Sequence, residues 1–418
     1  MTEVVVAGGG LAGLVAARHL AEAGADVRLY ERHGEVGGRV RSTRRDGFVF
    51  DRGFQVLFTA YPAVGRELDL DALDLRTFVP GAVVARPGHR ATLSDPLRDP
   101  FSAVETLFNR DVTVGDKLRV LGLYRELRDK PDAEIFGGPD ASTREYLRER
   151  GFSGKFLANF AEPFYGGITL DRSLSTSRKA FEFTFKMLAT GDTAVPARGM
   201  GAISDQLAAS ARDAGARIVT DETVTEVGTD GRVELGRETD AADAVVVATD
   251  PKRARELTGV DAIPTDAKGC VTQYYAFDGE ELDAGRRLLL NAESASPNQI
   301  AQLSSVAPEY APEDRNLLSA TYLGAPDDPD ETLAARTART LESWYPERRL
   351  DLDLLHTSRI EFGQFAQPPG VYDGLPAVRA PEGSVYLAGE YTEASSLNAA
   401  MQSGRTAARA VRADLDLQ

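Results

Sequence analysis

The chain opens on four consecutive apolar residues, Val4-Val5-Val6-Ala7, a run short and β-branched enough to read as a strand buried on both faces. A glycine-rich turn follows. Apolar residues at Leu14, Ala17, Leu20 and Ala21 then predict a helix over about 11–23, with Gly24 in place for a left-handed C-terminal cap. Val27, Leu29 and Tyr30 predict a second strand, and Phe48-Val49-Phe50 a further one. Residues 63–195 read as mostly helical. There Asp99-Pro100 is an N-cap with a first-turn proline, ahead of a face made by Phe101, Val104, Leu107 and Phe108. Thr113 with Asp116, and Ser142 with Glu145, have the form of helix starts with an acid three residues on. Residues 177–189 predict a helix stopped by Gly191, and its Phe181, Phe183, Phe185 and Met187 read as core before substrate wall.

At Pro196 the pattern returns to α/β. Gly199-Met200-Gly201 leads into a helix over 202–214, and strands follow at 216–219, 224–227 and 244–247, with a turn at Gly231. In 255–360, residues 271–277 predict a strand, with 288–290, 299–304 and 317–322 as its candidate partners and an amphipathic helix over 331–344. Residues 385–388 form another buried strand. Ser395 or Ser396 then caps a helix that runs through Met401 to about Val411.

The 418 residues leave room for two or three domains, or one with a large insertion. The formal charge is −16, and lysine occurs only at 117, 130, 155, 179, 186, 252 and 268. That balance argues against nucleic acid as a partner, since phosphate binding needs a basic patch. It fits either a salt-rich cytoplasm, where charge is screened, or a high-GC genome with a solubilising charge. The single cysteine, Cys270, excludes an internal disulfide and a redox Cys pair and suits a reducing cytoplasm. No apolar run is long enough to span a bilayer, and the chain enters its first strand without a signal peptide. The expected location is therefore cytoplasmic, with peripheral membrane contact left open. Histidines 19, 33, 89 and 356 have no metal-ligand spacing, and His19 is expected at the surface. No metal is expected.

The chemistry concentrates at the two chain ends. Gly8-Gly9-Gly10-Leu11-Ala12-Gly13 has the form GxGxxG, follows a strand and opens a helix. Gly8 permits the tight turn, Gly10 lets backbone approach a pyrophosphate, and Gly13 lets the helix pack close to the strand. Glu31, at the end of the second strand, can accept hydrogen bonds from ribose hydroxyls. Arg32 follows, and Gly37-Gly38-Arg39 can close on a diphosphate from a second side. Val224 reads equally well as backbone beside an adenine ring or as plain strand. Near the C-terminus Gly389 allows close approach. Glu390 can bond a sugar or ribityl hydroxyl, and the helix beginning near Leu397 directs its positive end at whatever lies above it. The first motif alone does not separate FAD from NAD.

These residues resemble the FAD-dependent amine oxidase superfamily, which includes monoamine oxidases, protoporphyrinogen oxidases and carotenoid desaturases. The likeness is carried by the GxGxxG unit with Glu31, by Gly37-Gly38-Arg39, and by Ala388-Gly389-Glu390 with Ser396-Leu397-Asn398-Ala399-Ala400. It implies an α/β fold in which a Rossmann-like FAD-binding domain is assembled from discontinuous segments, 1–62, 196–254 and 361–418. An α+β substrate domain, 63–195 and 255–360, is inserted in it. Residues 53–62 and 388–404 look most like plant and cyanobacterial phytoene and ζ-carotene desaturases, and that likeness places Gln55 and Val56 near the flavin. Lys186 falls near a flavin-proximal arginine of those desaturases. Cys270 takes the place of the amine oxidases' lysine, with Lys268 two residues earlier on the same face. Lys186 and Lys268 are thus the two candidates for catalysis. The amine oxidases' aromatic cage and flavin-linking cysteine are not evident, so the FAD is expected to be non-covalent.

The resemblance implies hydride removal from an apolar substrate such as a carotenoid or another isoprenoid, in a cavity lined by the aromatics of 181–187. Alternatives are an amine or protoporphyrinogen oxidase using O2, and a flavin-binding protein without turnover. The electron acceptor is not legible in the sequence.

Overall fold

The computed structural model describes residues 2–94, 111–236 and 238–417, so the N-cap at 99–100 and the apolar face over 101–108 lie outside the described residues. A five-stranded parallel sheet runs in the order Arg217–Val219, Asp26–Tyr30, Glu3–Ala7, Ala244–Val247, Val385–Leu387. Its central strands are the all-apolar runs of the sequence, because both faces are covered and leave no solvated side. On one face lie the helices Leu11–Glu22, Gly201–Asp213 and Leu397–Asp414. The first and last of these approach closely at Gly404, where a Cβ atom would sit 2.2 Å from the Ala12 carbonyl oxygen. The other face carries an antiparallel meander, Val224–Val227, Arg232–Leu235 and Glu238–Ala241.

A second, mixed sheet of seven strands runs in the order Asp353–Phe365, Ala267–Phe277, Asn316–Leu323, Gln299–Gln302, Leu288–Asn291, Ala82–Arg86, His89–Leu93. Of the three expected partners of the 271–277 strand, only 317–322 pairs with it directly. The other two lie further along the sheet, and 303–306 turns into a short helix. The strand Asp353–Phe365 runs unbroken across the expected junction at 360/361. Residues 75–93 are not helical but form Leu75–Thr77, Ala82–Arg86 and His89–Leu93. Ala82-Val83-Val84-Ala85 is a four-residue apolar run closed by Pro87-Gly88, too short for a helix and well suited to a hairpin.

The helical part keeps its sequence signals. Val114–Leu127 and Thr143–Glu149 both start in full capping boxes, at Thr113/Asp116 and Ser142/Glu145. Arg178–Thr190 starts under the Ser177 side chain and ends at Gly191.

Two buried carboxylates tie these parts together. Asp51 accepts from Ser42 Oγ (2.5 Å), the Met200 amide (2.8 Å) and Tyr310 Oη (2.8 Å), joining the two-stranded ribbon Ser42–Arg45/Phe48–Asp51 to elements far along the chain. Glu67 takes His19 as a partner, so His19 is not at the surface. Its Nε2 lies 2.9 Å from Glu67 Oε2 and its side chain is 13% exposed. Among the described residues no helix is long and apolar enough to cross a membrane, and no three His, Cys, Asp or Glu gather as a metal site.

Candidate functional site

A cleft of about 760 Å³ opens where the C-terminal ends of the parallel strands meet the large sheet. In open parallel sheets, ligands bind at this edge. Gly8, Gly10, Leu11, Ala12, Glu31, Arg32, Gly38, Arg39, Gln55, Val56, Val224, Gly389, Glu390 and Leu397 all line it, although they come from five separate stretches of chain. Gly13 does not. It faces back into the turn, where a Cβ would lie 2.0 Å from the Gly8 carbonyl oxygen, so its part is packing of helix on strand. At Gly10 the same added atom would meet nothing within 4 Å, which leaves the helix start open to a ligand. That helix end has no side-chain cap, so its first N–H groups face the cleft unpaired by side chains.

Glu31 is buried, with 6% of its surface exposed. Its Oε2 accepts from the Gly9 amide (2.8 Å) and its Oε1 from the His33 amide (3.0 Å), each oxygen keeping a second lone pair for a hydroxyl. Arg39 donates through Nη1 to Glu390 Oε1 (2.6 Å) and to the Gly363 carbonyl (3.0 Å). The two end motifs, 351 residues apart, thus meet in one ion pair.

Four guanidiniums gather here. Arg41 pairs with Glu35 (3.1 Å) and Arg32 approaches Asp250 (3.7 Å). Arg52 has no carboxylate partner among the described residues and donates only a long bond to the Gly38 carbonyl (3.4 Å). Burial, then the charges of Arg41, Arg32 and Arg39, push the Arg52 guanidinium below its ordinary value. A guanidinium without a carboxylate partner beside an open helix N-terminus is an environment that a diphosphate suits. Gln55 Oε1 and Ser395 Oγ are buried along the same cleft without a hydrogen-bond partner among the described residues. Such atoms cost free energy unless a ligand satisfies them. The residues present therefore fit a dinucleotide laid from Glu31 past Arg39 to Gln55.

The same cleft has an apolar part, the chamber, walled by Phe54, Val56, Phe58, Tyr61, Phe136, Phe164, Ile168, Leu170, Phe183 and Leu288. Neither candidate lysine lines it. Lys186 holds Asp132 Oδ1 (2.6 Å) and the Lys130 carbonyl (2.7 Å), because the chamber side of its helix is Ala180, Phe183 and Thr184. Lys268 lies 3.9 Å from Asp171 Oδ2. Against Asp353–Phe365 the register shifts between Lys268 and Cys270, with the extra residues in the partner strand, and of the two only Cys270 lines the cleft. Cys270 does line the cleft, with burial pushing its thiol up to about 11, so it is neither an ammonium substitute nor a thiolate at neutral pH.

Of the four side chains expected to make the cavity, only Phe183 does. Phe181 and Phe185, one turn apart, face a separate aromatic cluster with Tyr165 (4.6 Å from Phe181) and Tyr146, and Met187 is in the core. The sequence reading missed Phe136, Phe164, Ile168, Leu170, Leu288, Gln299, Gln364 and Gln367 of the cleft wall. They arrive from five further segments, and none carries a local motif.

Comparison with known proteins covers nearly the whole chain. A family profile described as flavin containing amine oxidoreductase matches residues 11–412. Over an alignment of 470 positions the chain is 24% identical to 15-cis-phytoene desaturase of Synechococcus elongatus, covering 99% of this chain and 96% of that one. Over 179 residues it is 29% identical to protoporphyrinogen oxidase 2, chloroplastic/mitochondrial, of Arabidopsis thaliana, which is 42% of this chain and 34% of that protein. Putrescine oxidase bound to putrescine has the same fold, with a TM-score of 0.71 at 17% identity over 100% of this chain and 99% of that one.

Proposed function

Given that the chain belongs to the flavin containing amine oxidoreductase family and is a flavin-dependent oxidoreductase, we propose that it removes hydride from an elongated apolar substrate, a carotenoid or another isoprenoid. The observation that carries the reading is the apolar chamber continuous with the nucleotide cleft. Segments 1–62, 196–254 and 361–418 hold the FAD, and segments 63–195 and 255–360 contribute most of the substrate wall. When bound, FAD supplies the hydride acceptor. The residues of this chain orient the substrate and exclude water, and no general base is assigned because neither candidate lysine reaches the chamber. Amine oxidation is disfavoured by the same geometry. The protoporphyrinogen oxidase reading keeps one support, the local match to the Arabidopsis enzyme.

Anaerobic mixing with each substrate class tests this reading. Flavin bleaching by a polyene is the expected result, and Phe183→Ala should slow it by about tenfold or more while leaving flavin occupancy unchanged. Bleaching by a primary amine or a porphyrinogen, with none by any isoprenoid, would overturn it.

The cofactor assignment predicts its own result. The protein should purify yellow, and acid should release all of its flavin into the supernatant. Glu31→Ala and Arg39→Ala should each weaken FAD binding by about 1–3 kcal/mol, the range for a hydrogen bond to a charged group. Unchanged occupancy in both variants would leave these residues a purely structural part.

A further inference from the structure

One wall of the chamber, where the strand Gln299–Gln302 meets the helix Glu162–Thr169, carries polar contacts that hydride transfer does not use. They start at Arg172, which donates from Nη1 to Asn298 Oδ1 (3.2 Å) and from Nη2 to the Asn291 carbonyl (2.8 Å). A guanidinium accepts nothing, so this bond fixes the Asn298 amide with its Nδ2 as donor. Asn298 Nδ2 donates to the Pro163 carbonyl (2.9 Å) and to Gln299 Oε1. The oxygen of Gln299 is thereby committed to protein. Its Nε2 has no protein partner among the described residues, and the side chain lines the chamber.

Gln364 is fixed in the opposite sense. Its Nε2 donates to the Ile168 carbonyl (2.6 Å), and its Oε1 has no protein partner among the described residues. Both glutamines meet consecutive residues of the same helix. Gln299 packs under Gly167, where a Cβ would lie 3.1 Å from Gln299 Oε1, and Gln364 bonds Ile168. A fixed donor and a fixed acceptor thus flank one stretch of an otherwise apolar wall. Gln299 is only 5% exposed, and the free amide atoms of both glutamines remain accessible.

We propose that Gln299 and Gln364 form a polar subsite for a neutral oxygen on the substrate, a hydroxyl or a ketone, and that this subsite sets which end of the substrate enters the chamber. The pair carries no charge, so neither glutamine supplies a counter-ion to a carboxylate or ammonium placed there. The proposal rests on the reading that the chamber takes an apolar substrate.

The test uses the flavin-loaded enzyme and three small probes, 1-decene, 2-decanone and 1-decanol, with Kd read from the perturbation of the flavin spectrum. The expected result is that 2-decanone binds about tenfold tighter than 1-decene, a single hydrogen bond's worth. Gln299→Met should erase that preference without weakening 1-decene. Gln364→Met should weaken 1-decanol and spare 2-decanone, because a ketone accepts and cannot donate. Gln299→Leu gives the same readout where the methionine variant folds poorly. A preference that is absent in the wild type, or that survives in both Gln299 variants, would overturn the subsite. Polyenes are titrated separately. The ketone preference together with failure of every polyene would retire the isoprenoid reading and leave the subsite standing.

Discussion

Glu67→Ala is expected to remove about 3 kcal/mol of stability, a large fraction of what a chain of this kind holds in reserve. The Glu67 carboxylate is fully buried and holds two arginines and a histidine from two other helices. His19 Nε2 lies at 2.9 Å, Arg18 Nη2 at 3.2 Å and Arg405 Nη1 at 2.9 Å. Those helices, Leu11–Glu22 and Leu397–Asp414, carry the two N-termini that open on the cleft. Removing the acid leaves the two guanidiniums, largely buried, without it. The cost falls at the low end of the range for a broken buried pair, since Arg18 and His19 keep Glu22 at 3.2 Å each. Urea unfolding at neutral pH measures it, and a loss below about 1 kcal/mol would show the cluster to be incidental.

The pH dependence has a definite sign. Burial raises the Glu67 carboxyl, but hydrogen bonds from His19 and Arg405 and the charge of Arg18 outweigh it and hold the group below its ordinary 4.5. A depressed acid contributes stability that is fully present above its unfolded value and is lost as pH falls through its folded value. Wild type should therefore lose more stability than Glu67→Gln on going from neutral pH to below 4.5. Parallel acid limbs for the two proteins would contradict this.

Gly13→Val is expected to weaken FAD binding by about 100-fold or more and to lower the melting temperature as well. The new Cβ would fall 2.0 Å from the Gly8 carbonyl oxygen and 3.2 Å from Ala248 Cβ, and the first of these is backbone that no rotamer can move aside. Either the helix lifts from the strand or the turn opens. Both displace the helix N–H groups proposed to face the diphosphate. Gly122→Ala is the contrast, since that glycine is exposed within the helix Val114–Leu127 and an added Cβ meets nothing within 4 Å. It should gain about 0.5–1 kcal/mol from helix propensity alone. Flavin content after purification, and melting with and without added FAD, measure both variants. Full flavin occupancy in Gly13→Val would mean that the turn tolerates a side chain.

How much of this protein was legible follows from how local each signal is. The strand–turn–helix of 4–31, the two capping boxes, the stop at Gly191 and the terminal strand–helix were readable because each is written in residues a few positions apart, where backbone geometry and periodicity act. The residues proposed to hold the nucleotide came with them, since glycine spacing and strand-end acids are also local. Residues 75–93 were misread because a four-residue apolar run carries no period of its own.

What tertiary structure alone decided is every pairing between distant segments. Arg39 meets Glu390 across 351 residues, and His19 turns inward to Glu67 across 48. Lys268 lies by Asp171, from a distant segment, and not in the cleft wall. The chamber wall takes one aromatic of the 181–187 helix and rejects two others. Helix period says which side chains share a face but not which face meets a ligand and which meets a neighbouring helix. That choice belongs to the packing of the whole chain, and so do Gln299 and Gln364, whose free donor and acceptor are fixed by Asn298 and Ile168 rather than by anything beside them in sequence.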